Sequence, residues 1–374
     1  MEGMLTDEQV QFAQILDRFV KQEYGGRTGP HGLDRGRLER LAELGSLSLA
    51  VPEEMGGFGG PVERMLVMQY LAPGLPAEPI LASGIHAAGI LAAALPGGAA
   101  AELLPGLMDG SLIVTVADQE EGSRYRTDLV ETRARPDAGG WIVDGEKHLV
   151  AFAAEADVLI VSARDTQSME LGLYRIDSLA SGLHVTARPG VDGLPRGDVR
   201  LAGCRAAARI ADRDVADMLV AAADQAEAAQ VAEMVGLMDA LIRETISYLQ
   251  TRRQFGTEIG RFQALQHRLA DMWIHCEEVR SVALAAALSC DAAPDVRART
   301  VSMAKMLACD AARLVANEAV QMHGGIGVTD ELIVGHWFKR LLALRASLGD
   351  RRYHMSRLLD RAGPQTRSPL AEPA

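Results

Sequence analysis

Apolar residues at the start of the chain recur with helical spacing. Val10, Phe12, Ile15, Leu16, Phe19 and Val20 follow Thr6-Asp7-Glu8-Gln9, a capping-box pattern that places a helix start there. VPEEMGGFGG (51–60) interrupts the pattern as a loop, and further helices follow, punctuated by Pro73, Pro76, Pro79 and Pro96. Near Gly110 the period changes. SLIVTVA (111–117), DLVETRARP (128–136), WIVDGEKHLV (141–150) and DVLIVSAR (157–164) are short and rich in β-branched residues, with turn signals between them. From about Asp212 the helical period returns as three long stripes. The first runs from Val231 through Met234 and Met238 to Leu249, the second from Phe262 through Met272, Trp273 and Cys276 to Val279, and the third from Val301 through Ala311 to Met322. The pattern predicts a mainly α protein with a central β domain: a helical domain over 1–110, a β domain over 111–212, a helical bundle over 213–362 and a disordered tail over 363–374.

Composition narrows the class. With 374 residues, two or three domains are expected. The net charge is −12 with no long basic run, which argues against nucleic acid and anionic membrane surfaces. Cys204, Cys276, Cys290 and Cys309 are scattered without a C-x-x-C, which fits buried thiols in a reduced, cytoplasmic protein better than a disulfide framework or a zinc site. The N-terminus has no signal-peptide pattern, and no apolar run is long enough to predict membrane insertion. His267, His275, His323 and His354 lack the E-x-x-H spacing of a metal-binding bundle, so no metal is expected.

Two segments could carry chemistry. In YLQTRRQFGTEIGRFQALQHRLADM (248–272), one helix ends, the chain turns at Gly256 and another helix begins. An arginine pair beside a phenylalanine suits an anionic, flat ligand, and equally suits a helix C-terminus closed by cations and a glycine. In QMHGGIG (321–327), three glycines end a long helix and leave backbone open to close approach, or serve simply as a cap.

The two segments together, with LAELGSLSLAVPEEMGGFGG, ADQEEGS and WIVDGEKHLV, resemble the acyl-CoA dehydrogenase family over nearly the whole chain. The resemblance implies an N-terminal α domain, a β-barrel-like middle domain and a C-terminal four-helix bundle, assembled as a homo- or hetero-tetramer. It implies FAD as cofactor, α,β-dehydrogenation of an acyl-CoA thioester, and an electron-transfer flavoprotein as electron acceptor. By the same resemblance, Arg252, Gln254 and Phe255 bind the FAD of a neighbouring subunit, as do Gln321, Gly324 and Gly325. Gln119, Ser123 and Ala151 face this chain's own flavin ring.

The sequence departs from the family at the reacting centre. Most members carry the catalytic glutamate in a "YEGT"-like stretch; here the matching residues are SLGD (347–350), so the glutamate position falls on Leu348 and a threonine position on Asp350, an acid ill-suited to a pyrophosphate. Members that place the base on the first bundle helix do so where this chain has Ala226. Glu227 is the next residue, at a position where arginine is common, and shares a stripe with Asp224, Val231, Met234 and Met238. A carboxylate on an apolar stripe is raised toward a general base's range by burial, whereas an acid near a helix start is also favourable on its own. Glu233 falls on the opposite side and reads as solvated or salt-bridged. In the β domain the family's threonine is Gln119 and a further hydroxyl is lost at Ala151. Contacts to the chain's own flavin are thinned while those lent to a neighbour are intact.

Three readings follow. The chain resembles the small, base-lacking subunits of bacterial heteromeric acyl-CoA dehydrogenases of pimeloyl-CoA or steroid side-chain type. Alternatively it is a self-sufficient homotetramer with Glu227 as base, or a non-catalytic scaffold that binds acyl-CoA.

Overall fold

The computed structural model describes residues 5–26, 29, 32–94, 98–211, 213 and 215–362; the tail expected over 363–374 lies outside them. Five helices come first: α1 (Asp7–Glu23), α2 (Arg35–Glu43), α3 (Pro61–Leu71), α4 (Ala88–Ala93) and α5 (Gly98–Met108). The capping box at the start of α1 is formed, with Thr6 Oγ1 accepting from Gln9 N and the Gln9 side chain returning to Thr6 N. A π-helical segment, Ile80–Ala87, runs directly into α4.

Eight strands follow: β1 (Val114–Ala117), β2 (Arg133–Asp137), β3 (Gly140–Ala151), β4 (Val158–Asp165), β5 (Leu171–Asp177), β6 (Leu183–Ala187), β7 (Arg196–Ala206) and β8 (Ala208–Ala211). They form one sheet in the order β6-β7-β3-β2-β4-β5-β8, with β1 parallel to β4. The sheet curls around a core that includes Val143, Leu159, Val161, Tyr174 and Val199. The ladder between β3 and β7 shifts register between Lys147 and Val150. At that bulge Leu149 takes φ 51° and is 64% exposed. An extra residue bends a strand and re-aims its side chains, here toward the cavity described below.

The rest is helical: α6 (Val215–Thr251), α7 (Gln263–Leu288), α8 (Pro294–His323), α9 (Ile333–Leu344) and α10 (Arg351–Ala362). Helices α6 to α9 pack around Val231, Met234, Met238, Met272, Cys276, Val301, Val315 and Trp337, and α10 lies on α8. The 37-residue α6 is the central element. It touches α3, the π-helical segment, α7, α8 and α9, so its residues are buried nearly all round over 226–242.

That burial settles one sequence expectation, and α7 corrects another. Of the two alternatives for Glu233, the salt bridge is the one formed: the residue is 5% exposed and paired with Arg340. Trp273, assigned to the second apolar stripe, is 57% exposed on α7. DLVETRARP is strand only from Arg133. All four cysteines are buried and unpaired. No helix among the described residues is long and apolar enough to cross a membrane, and no group of three or more His, Cys, Asp or Glu among them could hold a metal ion.

Candidate active site

A cavity of about 1580 Å³ lies where the N-terminal helices, the sheet and α6 meet α10. Its apolar end is lined by Met68, Leu71, Pro79, Ile80 and Leu81 from α3 and the π-helical segment. Its β side carries Gln119, Ser123, Leu149 and Ala151. Ser123 Oγ donates to Gln119 Oε1 at 3.4 Å, and Gln119 O accepts from His148 N at 2.8 Å, so both residues are tied into the loop between β1 and β2. Arg124 and Tyr125 in that loop take left-handed φ values of 47° and 71°. The turn lets Tyr125 Oη donate to Ala346 O at 2.9 Å and its ring meet Tyr353 at 5.5 Å, which joins the loop to the SLGD segment.

The bundle side is set by α6 and the segment between α9 and α10. Leu348, at φ 58°, is half-buried and packs against the cluster that contains Leu71, Ala226 and Ala229. Both positions at which the resemblance allows a catalytic carboxylate, Leu348 and Ala226, are therefore in one apolar cluster. Gly349 has φ 139°, and a Cβ there would come within 2.4 Å of His354 Nε2, so glycine is required on both counts. Asp350 is the N-cap of α10: its Oδ1 accepts from Tyr353 N at 2.7 Å and its carbonyl from His354 N at 3.1 Å. Asp350 also lines the cavity.

Glu227 lies in the same wall, 1% exposed, one residue on from Ala226 and so rotated by about 100° around the helix. It faces α10 rather than Leu348's cluster. Its Oε2 is 3.6 Å from His354 Nε2 and 3.8 Å from Arg357, and makes no hydrogen bond. Asp224, one turn earlier, takes the strong partners, Arg357 at 2.5 Å and Arg297 at 3.0 Å. An unpaired buried carboxylate costs several kcal/mol, so Glu227 keeps its proton instead. Burial pushes its carboxyl up to about 8, against the pull of Arg357. His354 is buried and pulled down to about 3 by desolvation and by the charges of Lys305 and Arg357, so its contact with Glu227 is dipolar, not an ion pair. Glu233 reaches Arg340 at 2.6 Å, and Arg340 continues to Asp192 at 2.7 Å, binding α6 and α9 to the loop before β7. Burial opposes the charge on Asp192, yet Arg196 and Arg340 outweigh it and hold its carboxyl at about 2.

The other predicted residues are elsewhere. Arg252, Gln254 and Phe255, at the end of α6, are exposed and line no part of the cavity, as are Gln321, Gly324 and Gly325 at the end of α8. The two helix ends are joined by Tyr248, whose ring stacks on buried His323 at 4.6 Å. Phe255 takes φ 53° and is 90% exposed, touching Phe262 edge-on. Arg252 makes no side-chain hydrogen bond or ion pair with any described residue. A Cβ added at Gly324 or Gly325 would meet nothing within 4 Å. Sequence reasoning missed His354, Arg357 and Lys305; the only trace of the first two is their spacing with Tyr353 along one face of α10.

Family models decide the class. The acyl-CoA dehydrogenase N-terminal domain matches residues 6–110, the middle domain 114–204 and the C-terminal domain 202–363. The chain belongs to the acyl-CoA dehydrogenase family. It is 28% identical to acyl-CoA dehydrogenase FadE27 of Mycobacterium tuberculosis over 84% of this chain and 85% of that one. Of solved structures it is similar to the ChsE4–ChsE5 complex of M. tuberculosis, at 27% identity, a TM-score of 0.82 and full coverage of both chains. It is also similar to the steroid ACAD Tcur3481–Tcur3483, at 27% identity and a TM-score of 0.81 over 95% of this chain and 97% of that one.

Membership makes the chain an acyl-CoA dehydrogenase, an oxidoreductase with FAD as cofactor. The residues present fit that group. A free guanidinium and open glycine backbone, on helix ends joined through Tyr248 and His323, suit a pyrophosphate, and the cavity exceeds the roughly 300–1,000 Å³ usual for one ligand, leaving room for a ring system beside an acyl thioester.

Proposed function

We propose that this chain is one subunit of a heteromeric acyl-CoA dehydrogenase and completes FAD sites centred on a related partner chain. The observation that carries the reading is a contrast inside one molecule: Ala226 and Leu348 share an apolar cluster, while Arg252, Gly324 and Gly325 stand exposed with open space around them. FAD, when bound, supplies the hydride acceptor and the route for electrons to an electron-transfer flavoprotein. Arg252 neutralises phosphate charge at the partner's site, Gln254 and Phe255 border the ring system, and Gln321, Gly324 and Gly325 offer side-chain and backbone donors. On the cavity side, Gln119, Ser123 and Ala151 give this chain a thinner set of contacts to a flavin of its own. The proposed assembly is a cytoplasmic hetero-tetramer with the related subunit, and the ChsE4–ChsE5 structure is that of a complex of two differently named chains.

A second reading has its own observation. Glu227 is buried in the cavity wall with a free Oε2 and a carboxyl near neutrality, which is what a general base in a self-sufficient homotetramer requires. The two readings part in one preparation. The full chain is purified alone and after co-expression with a related dehydrogenase subunit, and flavin absorbance and acyl-CoA oxidation with an artificial electron acceptor are measured. Full flavin and turnover only in the co-complex is the expected result. A chain that alone holds full FAD and oxidises acyl-CoA overturns the heteromeric reading, and absence of both in either preparation points to a scaffold.

A further inference from the structure

Gln230 lies on α6 in the cavity wall, wholly buried. Its Oε1 accepts from Lys305 Nζ, which comes from α8 and is also wholly buried. Lys305 spends its other donors on Leu344 O at 3.0 Å and Ser347 O at 2.9 Å, the carbonyls that end α9 and precede Leu348. Burial pulls the pKa of Lys305 down, but two backbone carbonyls and the Gln230 carboxamide oxygen surround the nitrogen, and it directs its hydrogens to all three. The carboxamide must therefore turn its oxygen to Lys305 and its NH₂ away from it. Gln230 Nε2 has no hydrogen-bond partner. A buried N–H left without an acceptor costs about 1–3 kcal/mol, and a ligand oxygen in the cavity relieves that cost where a methylene does not.

The placement ties this donor to the reacting region. Gln230 is one helical turn beyond Ala226, on the same side of α6. Lys305 fixes the Ser347 carbonyl, the residue before Leu348, while it fixes Gln230. Glu227 Oε2, also without a hydrogen bond, lies a turn earlier in the same wall.

We infer that Gln230, oriented by Lys305, is a specificity-determining residue that donates a hydrogen bond to an oxygen on the acyl part of the ligand. The substrate class is then an oxygenated acyl-CoA, bearing an oxo, hydroxy or carboxyl group, rather than a plain hydrocarbon thioester. The inference rests on the acyl-CoA reading above. The test is calorimetric binding to the full chain in its flavin-bearing assembly, with the flavin reduced beforehand so that no turnover occurs. The probes are pairs of CoA thioesters of equal length, with and without a ketone on the acyl chain.

The wild-type protein is expected to bind the ketone of at least one pair about tenfold more tightly than its parent. Gln230→Glu keeps an oxygen for Lys305 but has no donor, and loses that preference with flavin content unchanged. The double variant Q230L/K305M, which removes both polar groups together, loses it too. Equal affinities in every wild-type pair assign the donor to the thioester carbonyl or to nothing, and overturn the inference alone. A preference that survives in both variants overturns it as well, and so does flavin loss from Gln230→Glu, which would assign the donor to the cofactor. If neither member of any pair binds, the acyl-CoA reading fails along with it.

Discussion

The exposed end of the bundle and the buried wall of the cavity both carry residues proposed above to lie around FAD, and they treat polar groups in opposite ways. At the bundle end Arg252 is unpaired, the glycine backbone is open and Phe255 projects into solvent. In the wall, Asp224, Arg297, Arg357, Glu233, Arg340 and Asp192 consume one another's charge. An exposed arginine costs nothing to leave free, whereas a buried charge must be matched within the chain. The bundle end is thus a surface whose polar capacity is available to an outside occupant. The wall has already used most of its own, and what it leaves over includes Glu227 Oε2, Gln230 Nε2 and His86 Nε2.

The sharpest way to break this contrast is charge reversal at the bundle end. R252E removes the charge-assisted phosphate contact proposed for this residue, worth about 1.5–3 kcal/mol, and adds repulsion. Flavin retained by the assembly is expected to weaken on the order of a hundredfold, read as flavin absorbance per chain after gel filtration. Because the residue is exposed, unfolding should shift by no more than about 0.5 kcal/mol. Full flavin retention in R252E would remove the bundle end from the cofactor site.

The next prediction concerns the wall. Glu227 has a folded-state carboxyl raised to about 8, so the folded protein binds more protons than the unfolded one between the ordinary glutamate range and that value. Stability from this group is full at low pH and is lost as pH rises toward 8. His354 works in the other direction: held near 3, it favours the folded state as pH rises, and its contribution is complete by about 6.5. Above 6.5 the His354 contribution no longer changes much, and the Glu227 effect amounts to roughly 2 kcal/mol lost by pH 8. E227Q keeps a neutral group there and should flatten that fall in urea midpoints across the interval. The same variant tests catalysis: unimpaired acyl-CoA turnover by a homomeric E227Q preparation excludes Glu227 as base.

How far these features were legible in the sequence depends on whether they are local. The α1 capping box, the change of period near Gly110 and the stripe that buries Asp224 and Glu227 all follow from neighbours along one helix or strand, and each can be read from spacing. Lys305, His354 and Arg357 reach Gln230 and Glu227 from α8 and α10, and no periodicity encodes which side chain of another helix comes to meet a given one. Glu233 was placed on the far side of α6 correctly enough, but α6 has no wet side there, because the N-terminal helices and α9 cover it. Trp273 erred the other way, since membership of a stripe does not say how far round the stripe the core extends.

Asp350 gives the smallest and cleanest test of the comparison. If the segment between α9 and α10 had kept a flavin-facing role, Asp350 would be chosen for its ligand. The structure instead uses it to cap α10, where its carboxylate accepts from Tyr353 N and offsets the positive end of the helix. D350A should cost about 1 kcal/mol, seen as a fall of roughly 1–2 °C in the thermal midpoint given the size of the chain. D350N and D350S should recover most of that, because both accept from the same N–H. Flavin content should be the same in all three variants. A loss of flavin in D350N, which keeps the cap and removes only the charge, would return this loop to the cofactor site and erase the contrast between the two regions.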